Sequence, residues 1–404
     1  MGVDDDELAE EELLDAPPAP AVPEAEDEVD PVAAARARRR RLVGAVVVLA
    51  VAVAVLGLLF PGRQVRPGTG AYDPGTSDQI EAALPALRSF AERTRGLTFT
   101  GQLSVTVLGA AQFAAASVQA LPGGPAVDRG ATGRALGLGA MAAPGGTTAG
   151  DQEAFYSFAQ HRVYLRDGAF DAVARAALLH ALVHALDDQR FDLLRLTRAA
   201  AGDADRARAL AALVEGDADR VEAAYIDSLP AADQRAVRAR RQVAAPAGFA
   251  ANERAFPHTF GAAFVTQLAS GGGNATVDAA FGSPPTSTAQ IIEPRLYTQG
   301  VTPVGVRPPQ ADGPQVDAGT LGRFGLAMLA TRGARVLDAS ASATWQGDAY
   351  VTFRSGGGYC TKVSLLVGDP GDQQQLRTDL AGAPNLRSVT LFGPDTVRLE
   401  FCGP

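Results

Sequence analysis

The feature that most restricts this chain is an uncharged apolar run at residues 42–60, which reads LVGAVVVLAVAVAVLGLLF. As a helix, these nineteen residues would extend about 28 Å, close to the ~30 Å hydrocarbon core of a bilayer. A helix also satisfies its own backbone hydrogen bonds in lipid. We therefore expect one transmembrane helix at 42–60. The alternatives are a cleaved signal peptide and a buried core helix. No small-residue cleavage motif follows the run, and cleavable signals have shorter apolar cores.

Basic residues immediately before the apolar run predict its orientation. Positive side chains beside a membrane span stay in the cytoplasm, so the N-terminus should be cytoplasmic and everything from residue 61 extracytoplasmic. The prediction is a single-pass protein of the cell membrane, held there by one helix. The basic residues are Arg36, Arg38, Arg39, Arg40 and Arg41.

The net charge of -9 comes almost entirely from the residues before the apolar run. Residues 4–30 hold 13 of the 45 acidic side chains, and the arginine cluster holds five of the 36 basic ones. The remainder has 32 acidic and 31 basic side chains, a net charge of -1. Residues 1–41 are thus predicted to form a disordered acidic cytoplasmic tail that ends in the arginine cluster. The nearly neutral remainder excludes a nucleic-acid partner, which would require a basic surface.

The predicted extracytoplasmic part divides by composition and residue pattern into a linker and two regions. Residues 61–76 are rich in Gly, Pro and Arg and are predicted to be a linker. Residues 77–300 combine helical periodicity with a few strand-like runs at their start, including 97–108. Residues 301–404 end in alternating runs typical of antiparallel strands. We predict an α+β fold, mainly helical first and strand-rich last. The sequence leaves open whether 301–404 is a separate domain.

The chain has two cysteines, Cys360 and Cys402, both in the strand-rich region. Because disulfides persist outside the cytoplasm, we expect these two residues to be bonded. Closing a loop of about forty residues would stabilise the fold by about 3–4 kcal/mol. The alternative is a pair of free, buried thiols.

Two histidines form the pattern HALVH inside a helix predicted at 170–189. His180 and His184 are four residues apart and lie on one helical face, where two imidazoles can bind one metal ion. Histidines at this spacing also occur as ordinary core or surface residues. A second helix, predicted at 204–228, contains VEGDAD. This motif places Glu215 and Asp219 on one face, so that a carboxylate could complete a metal site.

The run LLHALVHALDDQRFDL, followed by ALVEGDAD, resembles zinc metallopeptidases of the gluzincin type, a group of zincins. The likeness is greatest to secreted or membrane-anchored bacterial members with an HELxHALxDQ helix. It extends over residues 97–297, about half of the chain. The resemblance implies a zincin-like fold and a zinc ion bound by three ligands, with Asp219 helping to orient a ligand. The implied ligands are His180, His184 and Glu215.

One position departs from that family pattern, because Ala181 stands where the family has the glutamate of HExxH. That glutamate takes a proton from the attacking water and delivers one to the leaving amine, a contribution of about 10²- to 10⁴-fold in rate. We therefore expect a pseudo-metallopeptidase that keeps zinc and binds a protein, a peptide or a component of the cell envelope.

Two other functional interpretations stay open. In one, the protein is an active zinc hydrolase that uses another base, with His258 as an auxiliary group. In the other, it is a metal-free structural or binding protein of the cell envelope.

Overall fold

Two β-sheets in a mostly helical chain give the protein an α+β fold. The computed structural model describes residues 74–120, 129–138, 152–241, 248–331, 344–368 and 370–404. The predicted acidic tail and the predicted transmembrane helix at 42–60 lie outside these residues. Within the described ranges, every helix is too short or too polar to cross a membrane.

The first sheet has three strands in the order β1-β3-β2, with β1 parallel and β2 antiparallel to β3. It agrees with the strand-like runs predicted at the start of residues 77–300. The elements here are α1 (Pro74–Arg95), β1 (Ser104–Leu108), α2 (Ala110–Ala120), α3 (Arg129–Leu136), β2 (Ala154–Ser157) and β3 (Arg162–Arg166).

A helical layer follows, beginning with the two predicted long helices. Aspartates start both of them, because Asp171 accepts hydrogen bonds from the first free amides of one helix and Asp203 from those of the other. The elements are α4 (Ala172–Phe191), α5 (Leu193–Ala200), α6 (Ala204–Ser228), α7 (Ala231–Arg241), α8 (Phe249–Phe256), a π-helical turn (Pro257–Gly261), α9 (Ala262–Gly272), α10 (Asn274–Gly282), α11 (Thr288–Ile292) and α12 (Pro294–Thr298).

The second sheet is antiparallel, with five strands in the order β4-β5-β6-β8-β7. Cys360 of β6 lies directly opposite Cys402 of β8, and the two form a disulfide as expected. The elements are β4 (Gln315–Gly319), α13 (Gly322–Ala330), β5 (Trp345–Ser355), β6 (Gly358–Val367), α14 (Pro370–Leu380), β7 (Leu386–Phe392) and β8 (Thr396–Gly403).

The core under the second sheet also receives side chains from earlier in the chain. Leu136 of α3 and Ala289 of α11 pack with Val363, Leu365 and other sheet residues in one apolar cluster. Residues before and after position 300 therefore share a core, and residues 70–404 form one compact unit.

Two predicted boundaries near the start differ from the structure. The first helix begins at Pro74, inside the predicted linker 61–76, because proline is tolerated in the first helical turn, where its missing N–H is not needed. The strand predicted at 97–108 is wrong for its first seven residues and forms only at Ser104–Leu108. The amides of Thr100 and Gly101 donate to Oε1 of Gln189 at 2.9 Å each, so a side chain of α4 replaces a strand neighbour.

One buried arginine forms ion pairs with both long helices and fixes the position of one helix relative to the other. Arg95, at the end of α1, is fully buried, and its Nη2 lies 3.4 Å from Asp187 of α4 and 2.8 Å from Asp278 of α10. Its Nε forms an ion pair with Asp217 of α6. Burial disfavours the charge, but the three carboxylates outweigh it and raise the pKa of Arg95 above its ordinary value. We name Arg95, Asp187, Asp217 and Asp278 the arginine cluster of the core.

Replacing Arg95 by methionine should destabilise the protein strongly. The substitution leaves buried carboxylates without their cation, which costs about 3–5 kcal/mol of unfolding free energy. Arg93→Met is the matched control, because Arg93 is exposed on the same helix. Denaturant unfolding measures both variants. Equal unfolding free energies for the two would show that the arginine cluster of the core does not stabilise the fold.

Candidate metal centre

Helices α4 and α6 bring the three predicted ligands to one point. The Nε2 atoms of His180 and His184 lie 3.0 Å apart on one face of α4. Oε2 of Glu215, from α6, lies 3.1 Å from Nε2 of His180 and 3.3 Å from Nε2 of His184. We name these three atoms the ligand triangle. Its position is largely interior, since the three side chains are between 8% and 21% exposed.

The dimensions of the ligand triangle fit a zinc ion. Zinc binds imidazole nitrogen at about 2.0–2.1 Å and carboxylate oxygen at about 2.0–2.2 Å in a tetrahedral arrangement. Ligand atoms of such a site are about 3.3 Å apart, and the edges of the triangle measure 3.0, 3.1 and 3.3 Å. Two imidazoles with one carboxylate also suit zinc better than calcium or magnesium, which prefer oxygen ligands.

The electrostatics of the site favour a positive charge next to Glu215. Burial disfavours the charged forms of both His180 and Glu215. Even so, hydrogen bonds to Glu215 and Glu222 raise the pKa of His180 well above its ordinary value. The neighbouring His184 and His180 lower the pKa of Glu215 well below its usual range. Either a proton or a bound cation can supply this positive charge.

Ala181 stands where the zincin pattern has its glutamate, and it carries no polar group. It is fully buried and belongs to an apolar cluster that includes Ala218 and Val221 of α6. Being three residues before His184, it lies beside that ligand on the helix surface. A methyl group here can neither accept nor donate a proton.

The two aspartates that follow His184 on α4 have other partners. Asp187 belongs to the arginine cluster of the core. Asp188 accepts hydrogen bonds from the hydroxyl of Tyr156 at 2.8 Å and from the amide of Leu193 at 2.9 Å. Nδ1 of His161, which lies on the same β2–β3 hairpin as Tyr156, is 2.9 Å from Oδ2 of Asp188. Asp188 thus holds the β2–β3 hairpin against α4, and neither aspartate takes the place of the missing base.

His258 lies next to the ligand triangle. Its ring centre is 6.3 Å from that of His180, and its side chain is 40% exposed. Nδ1 of His258 is 2.9 Å from Oδ2 of Asp219, which raises the pKa of His258 even though burial opposes the charge. Asp219 therefore contacts His258 most closely, while its other oxygen is 3.5 Å from Nδ1 of His180.

Two glycines allow the π-helical turn that carries His258 to lie against α6. A Cβ at Gly216 would be 2.3 Å from the backbone of Gly261, and a Cβ at Gly261 would be 2.0 Å from the carbonyl oxygen of Ala212. The backbones are therefore in direct contact. This contact explains the glycine between Glu215 and Asp217 in the VEGDAD motif.

Glu222 belongs to the site but was not predicted. Its Oε2 is 3.2 Å from Nδ1 of His180, and its side chain is 2% exposed. Glu222 is seven residues after Glu215, two helical turns further along the same face of α6. The spacing of Glu215, Asp219 and Glu222 was thus the signal in the sequence that could have revealed it.

Cys360 and Cys402 lie with Glu400 in a second group of potential metal ligands. Since the two sulfurs are bonded to each other, this group is a disulfide site.

None of the protein-family models, curated proteins or solved structures compared with the chain matches it. The relation to zincins therefore rests on the residues and geometry described above and stays a prediction.

Replacing Gly216 by alanine should push the π-helical turn away from α6. The added methyl would overlap the backbone of Gly261, and overpacking of this kind costs about 1–3 kcal/mol. Gly271→Ala in α9 is the control, because a Cβ there meets nothing within 4 Å. Denaturant unfolding should show a loss for Gly216→Ala and no loss for Gly271→Ala. Equal stability of both variants would contradict the close contact.

Proposed function

We propose that the chain is a membrane-anchored, extracytoplasmic zincin-like protein that binds zinc but lacks the general base of a peptidase. In this proposal it is a pseudo-metallopeptidase whose zinc site binds a protein, a peptide or a component of the cell envelope. The observation that carries the proposal is the ligand triangle, with edges of 3.0, 3.1 and 3.3 Å.

Each residue has a separate task in this proposal. His180, His184 and Glu215 would hold the zinc ion, which would polarise a carbonyl oxygen of a bound ligand. The arginine cluster of the core holds the two helices in register, so that the three ligands need little rearrangement. Ala181 leaves proton transfer unsupported, which favours binding over hydrolysis.

A second candidate function is a working zinc hydrolase, and the observation in its favour is the position of His258. Asp219 contacts Nδ1 of this ring, and the ring centre lies 6.3 Å from that of His180. A histidine held in this way by a carboxylate can serve as a proton carrier. Chelator-sensitive cleavage by the unaltered chain would favour this function.

A third candidate is a metal-free envelope protein. The edges of the ligand triangle are also hydrogen-bond distances, so protonated imidazoles could satisfy Glu215 without a metal. Metal content separates this candidate from the first two.

The full-length chain, purified in detergent at neutral pH, should contain about one zinc per molecule, because a triangle of this size supplies three ligands. His184→Gln removes one ligand while keeping a side chain of similar size, and zinc should be lost. His161→Asn is the control, since His161 contacts Asp188 outside the triangle. Elemental analysis after dialysis measures the content. Unaltered protein without stoichiometric zinc would exclude both metal-dependent candidates.

Restoring an acid at position 181 should create or increase peptidase activity. Ala181→Glu supplies the missing proton carrier, and Ala181→Gln has almost the same volume without acid-base chemistry. Both should lower stability, because position 181 is fully buried. Only the glutamate variant should cleave peptide libraries in a chelator-sensitive way, up to about 10²- to 10⁴-fold faster than the glutamine variant.

If the glutamate variant binds zinc and remains inactive, the substrate cleft has diverged from that of a peptidase. Equal activity of the glutamate and glutamine variants would instead show that the acid at position 181 is not what the site lacks.

A further inference from the structure

We infer that Glu222 is the positioning residue that fixes the ring of His180 for metal binding, an inference that rests on the proposed zinc site. The resemblance to zincins assigns support of the ligands to Asp219. The contacts around His180 assign the orientation of that ring to Glu222 instead.

Both nitrogens of His180 have defined partners. Nε2 points into the ligand triangle, 3.1 Å from Glu215. Nδ1 lies 3.2 Å from Oε2 of Glu222. Because a carboxylate only accepts hydrogen bonds, Nδ1 must carry the proton in this contact. The lone pair of the neutral ring is then on Nε2, where a metal would bind.

The carboxylate of Glu222 is itself held in place. Its side chain is 2% exposed, and its other oxygen forms an ion pair with Arg241 at the end of α7. Arg241 thus holds the second carboxylate oxygen of Glu222 while the first contacts the imidazole. A series of contacts therefore runs from Arg241 through Glu222 to His180 and the ligand triangle.

Asp219 is less suited to orient His180. Its Oδ1 is 3.5 Å from Nδ1 of His180, longer than the contact with Glu222. Its Oδ2 is 2.9 Å from His258. Asp219 thus positions the auxiliary histidine, and Glu222 positions the metal ligand. A carboxylate that accepts the second N–H of a metal-binding histidine also increases the basicity of that ring.

Zinc affinity tests this assignment. The full-length chain in detergent is titrated with zinc against a chromophoric chelator at neutral pH. Glu222→Gln should weaken binding by about 10- to 100-fold, the usual effect of losing such a partner. Glu222→Asp, which keeps the charge but withdraws the carboxylate by one methylene, should also weaken binding. It provides a second test if the glutamine variant does not fold.

Asp227→Asn is the matched control. Asp227 is on the same helix and also pairs with an arginine of α7, Arg238, but both side chains are mostly exposed. This variant should bind zinc as the unaltered chain does. The visible spectrum of the cobalt(II)-loaded protein provides a second readout, which should change for Glu222→Gln and not for Asp227→Asn. A change in general stability alone would not produce that difference.

The outcomes separate the inference from the proposed function. Stoichiometric zinc in the unaltered chain with undiminished affinity in Glu222→Gln would overturn the inference and leave the zinc site intact. A larger loss for Asp219→Asn than for Glu222→Gln would also overturn it, in favour of Asp219. Absence of zinc from the unaltered chain would remove the proposed function and the inference with it.

Discussion

The candidate metal site depends on the buried contacts of Arg95. One guanidinium joins Asp187, three residues past His184, to Asp217, two residues past Glu215. The ion pairs therefore fix α4 against α6 within one turn of the proposed ligands. Burying such charges costs desolvation energy, so the cluster is weak evidence for stability gained over an apolar core. We interpret it as a device that sets the register of the two helices, without which the histidines and the glutamate would not meet at one point.

The rest of the site follows from close packing on α6. Gly216 and Gly261 allow backbone contact with the π-helical turn, which places His258 beside the ligand triangle. Glu222, two turns after Glu215, reaches the far side of His180. One helix thus supplies a proposed ligand, the partner of a ligand and the partner of an auxiliary group. Ala181 belongs to the apolar core beside it and adds no polar group to the site.

Much of this arrangement could be predicted from sequence, because periodic patterns report local structure well. The long helix predicted at 204–228 has the observed bounds, and the alternating runs at the end of 301–404 form β5 to β8. Prediction failed where contacts between residues distant in sequence determine the local structure. Residues 97–103 have strand composition, but the amides of Thr100 and Gly101 donate to Gln189 instead of to a neighbouring strand. Helix α14 was not predicted from sequence. It is polar, and with Leu376 and Leu380 as its only buried apolar residues it has no clear apolar stripe. Glu222 was missed because the family motif ends at Asp219, and Arg95 has no local pattern that predicts its burial.

X-ray absorption at the zinc edge of the full-length protein tests the central claim most directly. The account predicts a four-coordinate zinc with two imidazoles and oxygen ligands at about 2.0–2.2 Å, and loss of one imidazole contribution in His184→Gln. A spectrum with sulfur ligands, or one that does not change when His184 is replaced, would contradict the site formed by α4 and α6.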